Sequence, residues 1–247
     1  MSPTAELAEI FRHPIKGIGS ESLEAADLSP EGALHGDRAW ALLNSEAPDT
    51  DAWQPRRNFL QVASGPGLAA VRAASEADGI RLSHPDQSDL LVRGASDGPA
   101  LAAWAGALWP SDRPAPGRLV RAQGHGMTDM AVPYVSLGNL ASLEDLSARA
   151  GRRLHPLRFR MNLWIRGVPA WAETDWIGRR IQIGGVTLEG AEPVGRCRAP
   201  EADPESGRRN VDTNTVLREA FGHTEFGIYL RVTRAGRLGT GDAVALT

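Results

Sequence analysis

Glycine and proline set the first limit on this chain. It carries 27 glycines and 17 prolines in 247 residues, and residues that punctuate a chain this often favour many turns between short strands over a helical bundle. Stretches 8–11, 22–27 and 38–43 read as strands, the last most clearly. Stretches 69–74 and 80–83 flank Asp78-Gly79 as the arms of a hairpin. Residues 99–109 form a helical segment stopped by Pro110, and 111–117, with two prolines and a glycine, is the candidate linker.

Further on, residues 139–150 place Leu140, Leu143 and Leu146 on one helical face, with Gly151 just past the end. Stretches 162–165 and 180–183 alternate as strands, and Gly184-Gly185 turns tightly into 186–189. A helix over 213–221 and closing strands over 227–233 and 243–246 complete the pattern. No internal repeat or low-complexity tract interrupts it. The expected fold is mixed β/α, mainly β and barrel-like, with a few peripheral helices. Two closely packed units are expected, at 1–117 and 118–247.

Charge and cysteine content narrow the function. The net charge is -3 and the pI about 6.1, so no global field draws the protein to nucleic acid or an anionic membrane. Any anion site must be built locally. The single cysteine cannot form an internal disulfide, which fits a reducing compartment. The N-terminal residues lack the pattern of a secretory signal, and the best apolar run, 101–109, is too short to span a bilayer. A cytoplasmic, unanchored protein is expected.

Three constellations carry possible chemistry. Cys197 lies between Arg196 and Arg198, and nearby cations favour the thiolate, a nucleophile and a soft metal ligand. A lone cysteine is more often a small buried hydrophobe, and the flanking arginines shift that balance only modestly. In Arg158-Phe159-Arg160-Met161-Asn162, an extended backbone would put residues 158, 160 and 162 on one face, suited to phosphate or carboxylate; a solvated face or internal salt bridges is the alternative. In the glycine-rich stretch 32–40, Arg38 can pair with Asp37 or reach an anion, and Lys16 is a further loop cation. His35, His125, His155 and His223 read as loop or capping residues. The P-loop, CxxC, HExxH and GxSxG signatures are absent.

In this order, the pieces resemble the MOSC family, named for the C-terminal domain of molybdenum cofactor sulfurase. The segments are FRHPIK (11–16), GALHGDRAW (32–40), NLASLEDLSAR (139–149), RFRMN (158–162), AETDW (172–176), GRC with DPESG (195–197, 203–207) and FGIYLRVTRAGRLGTGDAV (226–244). The resemblance implies a MOSC β-barrel with a β-rich N-terminal subdomain. It also implies the molybdenum cofactor (Mo-molybdopterin) held between the two.

On that resemblance Cys197 matches the molybdenum ligand and catalytic centre. Lys16, Arg38 and Arg160 match basic residues near pterin and phosphate, and Asn162, Arg196 and Tyr229 match other positions lining the pocket. The implied activity is oxygen-atom transfer from N-hydroxylated or N-oxide small molecules, as in the family's amidoxime-reducing members. Electrons would come from a separate ferredoxin- or haem-type donor protein with its reductase. The alternative is a cofactor carrier or sulfur-transfer protein without turnover. Three departures stand out: Gly17 where relatives often carry serine, Met161 in place of proline, expected to loosen its strand, and Pro200-Glu201 in place of a threonine pair.

Overall fold

The computed structural model describes residues 5–247. Its strands are β1 (Glu6–Arg12), β2 (Ile15–Lys16), β3 (Glu21–Leu23), β4 (Ala25–Ser29), β5 (Ala33–Leu34), β6 (Trp40–Asn44), β7 (Arg72–Glu76), β8 (Gly79–His84), β9 (Gln87–Val92) and β10 (Pro116–Arg121). Then come β11 (Tyr134–Asn139), β12 (Leu163–Arg166), β13 (Arg180–Ile183), β14 (Val186–Gly195), β15 (Glu225–Arg234), β16 (Gly236–Gly239) and β17 (Val244–Leu246). Helices α1 (Gly98–Gly106), α2 (Leu140–Arg149) and α3 (Thr213–Phe221) lie among them. The protein is mainly β, as the spacing of glycine and proline predicts.

Eight strands form the main sheet, in the order β17-β13-β14-β15-β11-β12-β1-β3. It curls on itself. Leu7 N–H donates to Asp242 O at 2.9 Å, Val244 N–H to Ala5 O at 2.8 Å and Gly241 N–H to Leu7 O at 2.8 Å, so the start of β1 meets the edge at β17. Closure removes the exposed edges that an open sheet would leave. Alternate residues point inward, and Leu137, Ile165, Ile183, Leu188, Ile228 and Leu230 pack one interior cluster, each fully buried. At about 25 cal/mol per Å² of apolar area removed from water, each such side chain contributes roughly 2 kcal/mol before entropy.

A second core fills the N-terminal part, where Ile15, Leu42, Leu60, Leu68, Leu82 and Leu101 meet. Helices α2 and α3 cover a third cluster, built on Phe159, Trp164 and Phe226. Asn139 caps α2, its side chain accepting from Ala141 N–H at 3.0 Å, and Leu143 and Leu146 are buried beneath it.

The two parts are interleaved. β1 and β3 complete the main sheet, while β4 and β5 pair with β16, near the C-terminus. β10 runs through residues 117 and 118, where the division between units is expected, and pairs with β6 of the N-terminal part. Residues 116–117 of the expected linker are therefore strand.

Other expectations shift for local reasons. The strand expected from residue 38 begins at Trp40, because Arg38 is left-handed with φ 51. The helix expected to reach residue 109 ends at Gly106. Residues 66–70 form a 3-10 turn ahead of β7. The stretch 22–27 is divided between β3 and β4 at Glu24.

The larger correction concerns residues 158–162, which are not extended. Pro156–Phe159 forms a 3-10 turn and Arg160 is left-handed with φ 49, so residues 158 and 160 face different ways. Proline at the first position of that turn favours the helical start. Met161, expected to loosen a strand, is 1% exposed and packs with Phe159 and Trp164.

Candidate active site

A cleft opens between the barrel and the N-terminal part, and every candidate residue lines it: Lys16, Arg38, Arg160, Asn162, Arg196, Cys197 and Tyr229. Each arrives on a different piece of chain. Lys16 ends β2 just before Gly17, whose φ is +74; a Cβ there would run into the Leu60 carbonyl oxygen, so serine in this position would be strained. Lys16 is 4% exposed. Its ammonium donates to Asp129 Oδ1 at 2.5 Å from a loop side chain that is 47% exposed. Burial lowers the Lys16 pKa, with Arg38 and Arg160 adding to the shift and Asp129 opposing it.

Arg38 and Arg160 both occupy the left-handed region, which costs a residue with a Cβ roughly 1–2 kcal/mol. Arg38 bonds Asp37 through Nη1 and donates from Nη2 to Arg160 O at 2.9 Å. It therefore pairs with its neighbour and also faces the cleft. Arg160 donates to Gly19 O at 3.1 Å and to Ser20 Oγ at 3.4 Å. Burial, reinforced by Arg38, pushes its pKa down to about 9, with Asp37 and Asp129 opposing. It remains charged at neutral pH.

Arg158 leaves this group. It points away, donating to Asp203 Oδ2 at 3.0 Å, Asn210 Oδ1 at 2.9 Å and Pro200 O at 3.2 Å. It is an internal brace for the chain that follows Cys197.

Arg196 donates from Nη1 to Phe159 O at 2.9 Å and from Nε to Phe226 O at 3.0 Å. Burial brings its pKa down to about 10; Tyr229, Cys197 and Asp129 oppose this and Arg38 adds to it. Cys197 is half-buried beside it. Arg198 turns outward, 65% exposed, to Glu201 at 3.0 Å; its backbone, at φ -75 and ψ 1, has left the extended conformation, so alternation no longer puts it on the face of Arg196. Only one of the two flanking arginines thus reaches the cleft with Cys197. Pro200 also lines it, while Glu201 is buried behind, bonded to Arg198 and Arg209.

Tyr229 stacks on Tyr134, centroids 5.6 Å apart at 26°. Burial raises the Tyr229 pKa, against the pull of Arg196. Asn162 is committed to its own fold: its Oδ1 accepts from Ser136 Oγ at 3.0 Å and its Nδ2 donates to Phe11 O at 3.2 Å. It ties β1 and β11 at the cleft floor.

Sequence reasoning missed Arg56, Asp129, Tyr134, Ser136 and His13. Tyr134 and Ser136 share one face of β11 by strand alternation, a readable signal, whereas Arg56 and Asp129 sit on loops. The four histidines assigned to loops and caps behave so; His155 accepts from Leu157 N–H at 3.1 Å and His223 from Glu225 N–H at 3.1 Å. His13 differs: it is fully buried.

Among the lining residues five are cationic (Lys16, Arg38, Arg56, Arg160 and Arg196) and one, Asp129, is acidic. Such a surplus of cations can hold an anion. Among the described residues there is no group of three or more His, Cys, Asp or Glu that could hold a metal ion. A metal at Cys197 would have to bring most of its other ligands with it.

The fold and this cleft define a two-part β protein with a cationic pocket around one thiol. The chain belongs to the MOSC family: residues 123–245 match the MOSC domain and residues 4–108 the MOSC N-terminal beta barrel domain. It is similar to mitochondrial amidoxime-reducing component 1 of Mus musculus, at 25% identity, with 97% of this chain and 82% of that protein covered. The Homo sapiens counterpart is 24% identical with the same shares covered. Among solved structures, the YUAD protein from Bacillus subtilis aligns over 98% of this chain and 94% of its own, at 15% identity and a TM-score of 0.49. Among the described residues no helix is long and apolar enough to cross a membrane.

Proposed function

We propose that the cleft binds the molybdenum cofactor and that the protein reduces N-hydroxylated or N-oxide small molecules. The observation that carries this is the convergence of the single cysteine with five cations and one carboxylate. The donor set fits the group. Its phosphate matches the surplus of cations, and its dithiolene supplies the sulfur ligands that the protein lacks around Cys197.

The cofactor, when bound, supplies a metal centre that exchanges two electrons and accepts an oxygen atom. The chain supplies placement. Cys197 would hold the metal through its sulfur, and Arg196, fixed by two backbone carbonyls, stays charged at neutral pH beside it. Lys16, Arg38 and Arg160 would hold the phosphate and pterin of the group, each anchored by contacts that leave little side-chain entropy to lose on binding. Asn162 fixes the floor, and Tyr229 on Tyr134 forms a flat wall for a planar group. Reducing an N–OH compound to amine or amidine and water consumes two electrons and two protons. Electrons come from a separate ferredoxin- or haem-type donor protein with its reductase.

The test is expression in a host that makes the cofactor, elemental analysis, and assay with an artificial reductant and an amidoxime. Stoichiometric molybdenum and deoxygenation, both lost in Cys197→Ala, are expected. A metal-free protein overturns the cofactor reading. Bound molybdenum that passes to an apo-enzyme without turnover identifies a carrier instead.

A further inference from the structure

His13 is a fully buried titratable group that the proposed chemistry does not use. It sits between β1 and β2, with 0% exposure. Its backbone N–H donates to Asp37 Oδ1 at 2.8 Å, its Nδ1 lies 3.0 Å from Ser20 Oγ, and its Nε2 lies 3.4 Å from the carbonyl oxygen of Met161. A carbonyl oxygen can only accept, and the tautomer with the proton on Nε2 lets that nitrogen donate to Met161 O while Nδ1 accepts. The Ser20 hydroxyl therefore donates to Nδ1, which turns its lone pairs toward the next donor. That donor is Arg160 Nη1, at 3.4 Å.

The chain of bonds has one direction: Arg160 to Ser20 to His13 to Met161 O. It begins and ends on adjacent residues of a strained turn, since Arg160 has φ 49. Such a conformation persists only where its surroundings over-determine it. Here Arg38 holds the Arg160 carbonyl, Gly19 O and Ser20 hold its guanidinium, and His13 holds the next carbonyl. Burial keeps His13 neutral, with Arg160 and Arg38 adding to the effect against hydrogen bonds to Met161 and Gly19. Neutrality preserves the acceptor at Nδ1.

We propose that His13 is a positioning residue which, through Ser20, aims the Arg160 guanidinium at an anion in the cleft. It touches neither the ligand nor Cys197. The proposal rests on the reading of the cleft as an anion site.

Inorganic phosphate is the probe, titrated calorimetrically into the metal-free full chain. His13→Asn keeps an acceptor where Nδ1 lies and His13→Gln keeps a donor where Nε2 lies, so the two separate the relay from mere packing. The expected losses in phosphate affinity are about tenfold for His13→Gln and for Ser20→Ala, no more than about tenfold for both together, and less than about threefold for His13→Asn. Equal losses in the Asn and Gln variants, or additive losses in the double variant, overturn the relay while leaving the anion site standing. Wild-type protein that binds no phosphate overturns the site and the relay with it. Imidazole nitrogen NMR supplies a second readout, independent of ligand and of variant folding: protonated Nε2 and bare Nδ1 are expected, and a proton on Nδ1 overturns the proposal.

Discussion

Arg38 Nη2 donates to the backbone carbonyl of Arg160 at 2.9 Å, joining two left-handed arginines that lie 122 residues apart in the chain. One guanidinium thus braces the turn that carries the other. Arg38→Lys keeps the charge and loses the fork that spans Asp37 and Arg160. The expected outcome is a roughly fivefold loss of phosphate affinity, about 1 kcal/mol, with a melting temperature lowered by a few degrees, about what one lost hydrogen bond costs. Calorimetry beside a thermal melt checks both halves.

Lys16 is a nearly buried ammonium whose charge is answered by half-exposed Asp129. Burial raises the Asp129 pKa, but Lys16, with help from Arg38 and Arg56, pulls the net value down. Asp129→Asn leaves the ammonium uncompensated, at a cost of about 1–2 kcal/mol once solvent screening is allowed for. Added phosphate should restore more stability to this variant than to wild type, because the carboxylate no longer competes for Lys16. Thermal melts with and without phosphate test this; equal responses would remove Asp129 from the anion site.

Cys197 is half-buried and open to the cleft. Iodoacetamide should alkylate it in metal-free protein and fail to do so once cofactor is loaded. Mass spectrometry reads the difference. Cys197→Ala should change stability by less than about 0.5 kcal/mol, separating loss of the ligand from loss of the fold.

Glu173 is buried, its Oε2 accepting from Ser142 Oγ at 2.9 Å and Asn139 Nδ2 at 3.1 Å, while Oε1 has no protein partner. Burial raises its pKa above the ordinary 4.5, against hydrogen bonds that lower it. A group that holds its proton more tightly when folded adds stability that is fully present below pH 4.5 and lost as pH rises through the raised value. Denaturant melts at a series of pH values should show Glu173→Gln gaining stability relative to wild type across that window. Parallel pH profiles would be inconsistent with a protonated Glu173.

Much of the fold was legible because its signals are local. Helix α3 runs from Thr213 to Phe221 as the spacing predicts, and β13 and β14 meet at Gly184-Gly185. Strands β9, β10, β11 and β16 are among those that escaped notice. β9 carries Gln87, Ser88 and Asp89, and β16 is held by pairing with β4, more than 200 residues away.

The sequence by itself determined the class of architecture, the family, and seven of the residues that line one cleft, because motifs in order survive as a pattern along the chain. It could not determine how those residues divide the work. Arg158 and Arg160 are two positions apart, yet one braces Asp203 from within and the other faces the cleft. A left-handed turn at Arg160 separates them. That turn is held by Arg38, Gly19, Ser20 and His13, contacts that exist only where the N-terminal segments around residues 13–20 and 38 pack beside it. Strain of this kind is stable only when distant groups oppose it, so its presence is decided in the tertiary structure.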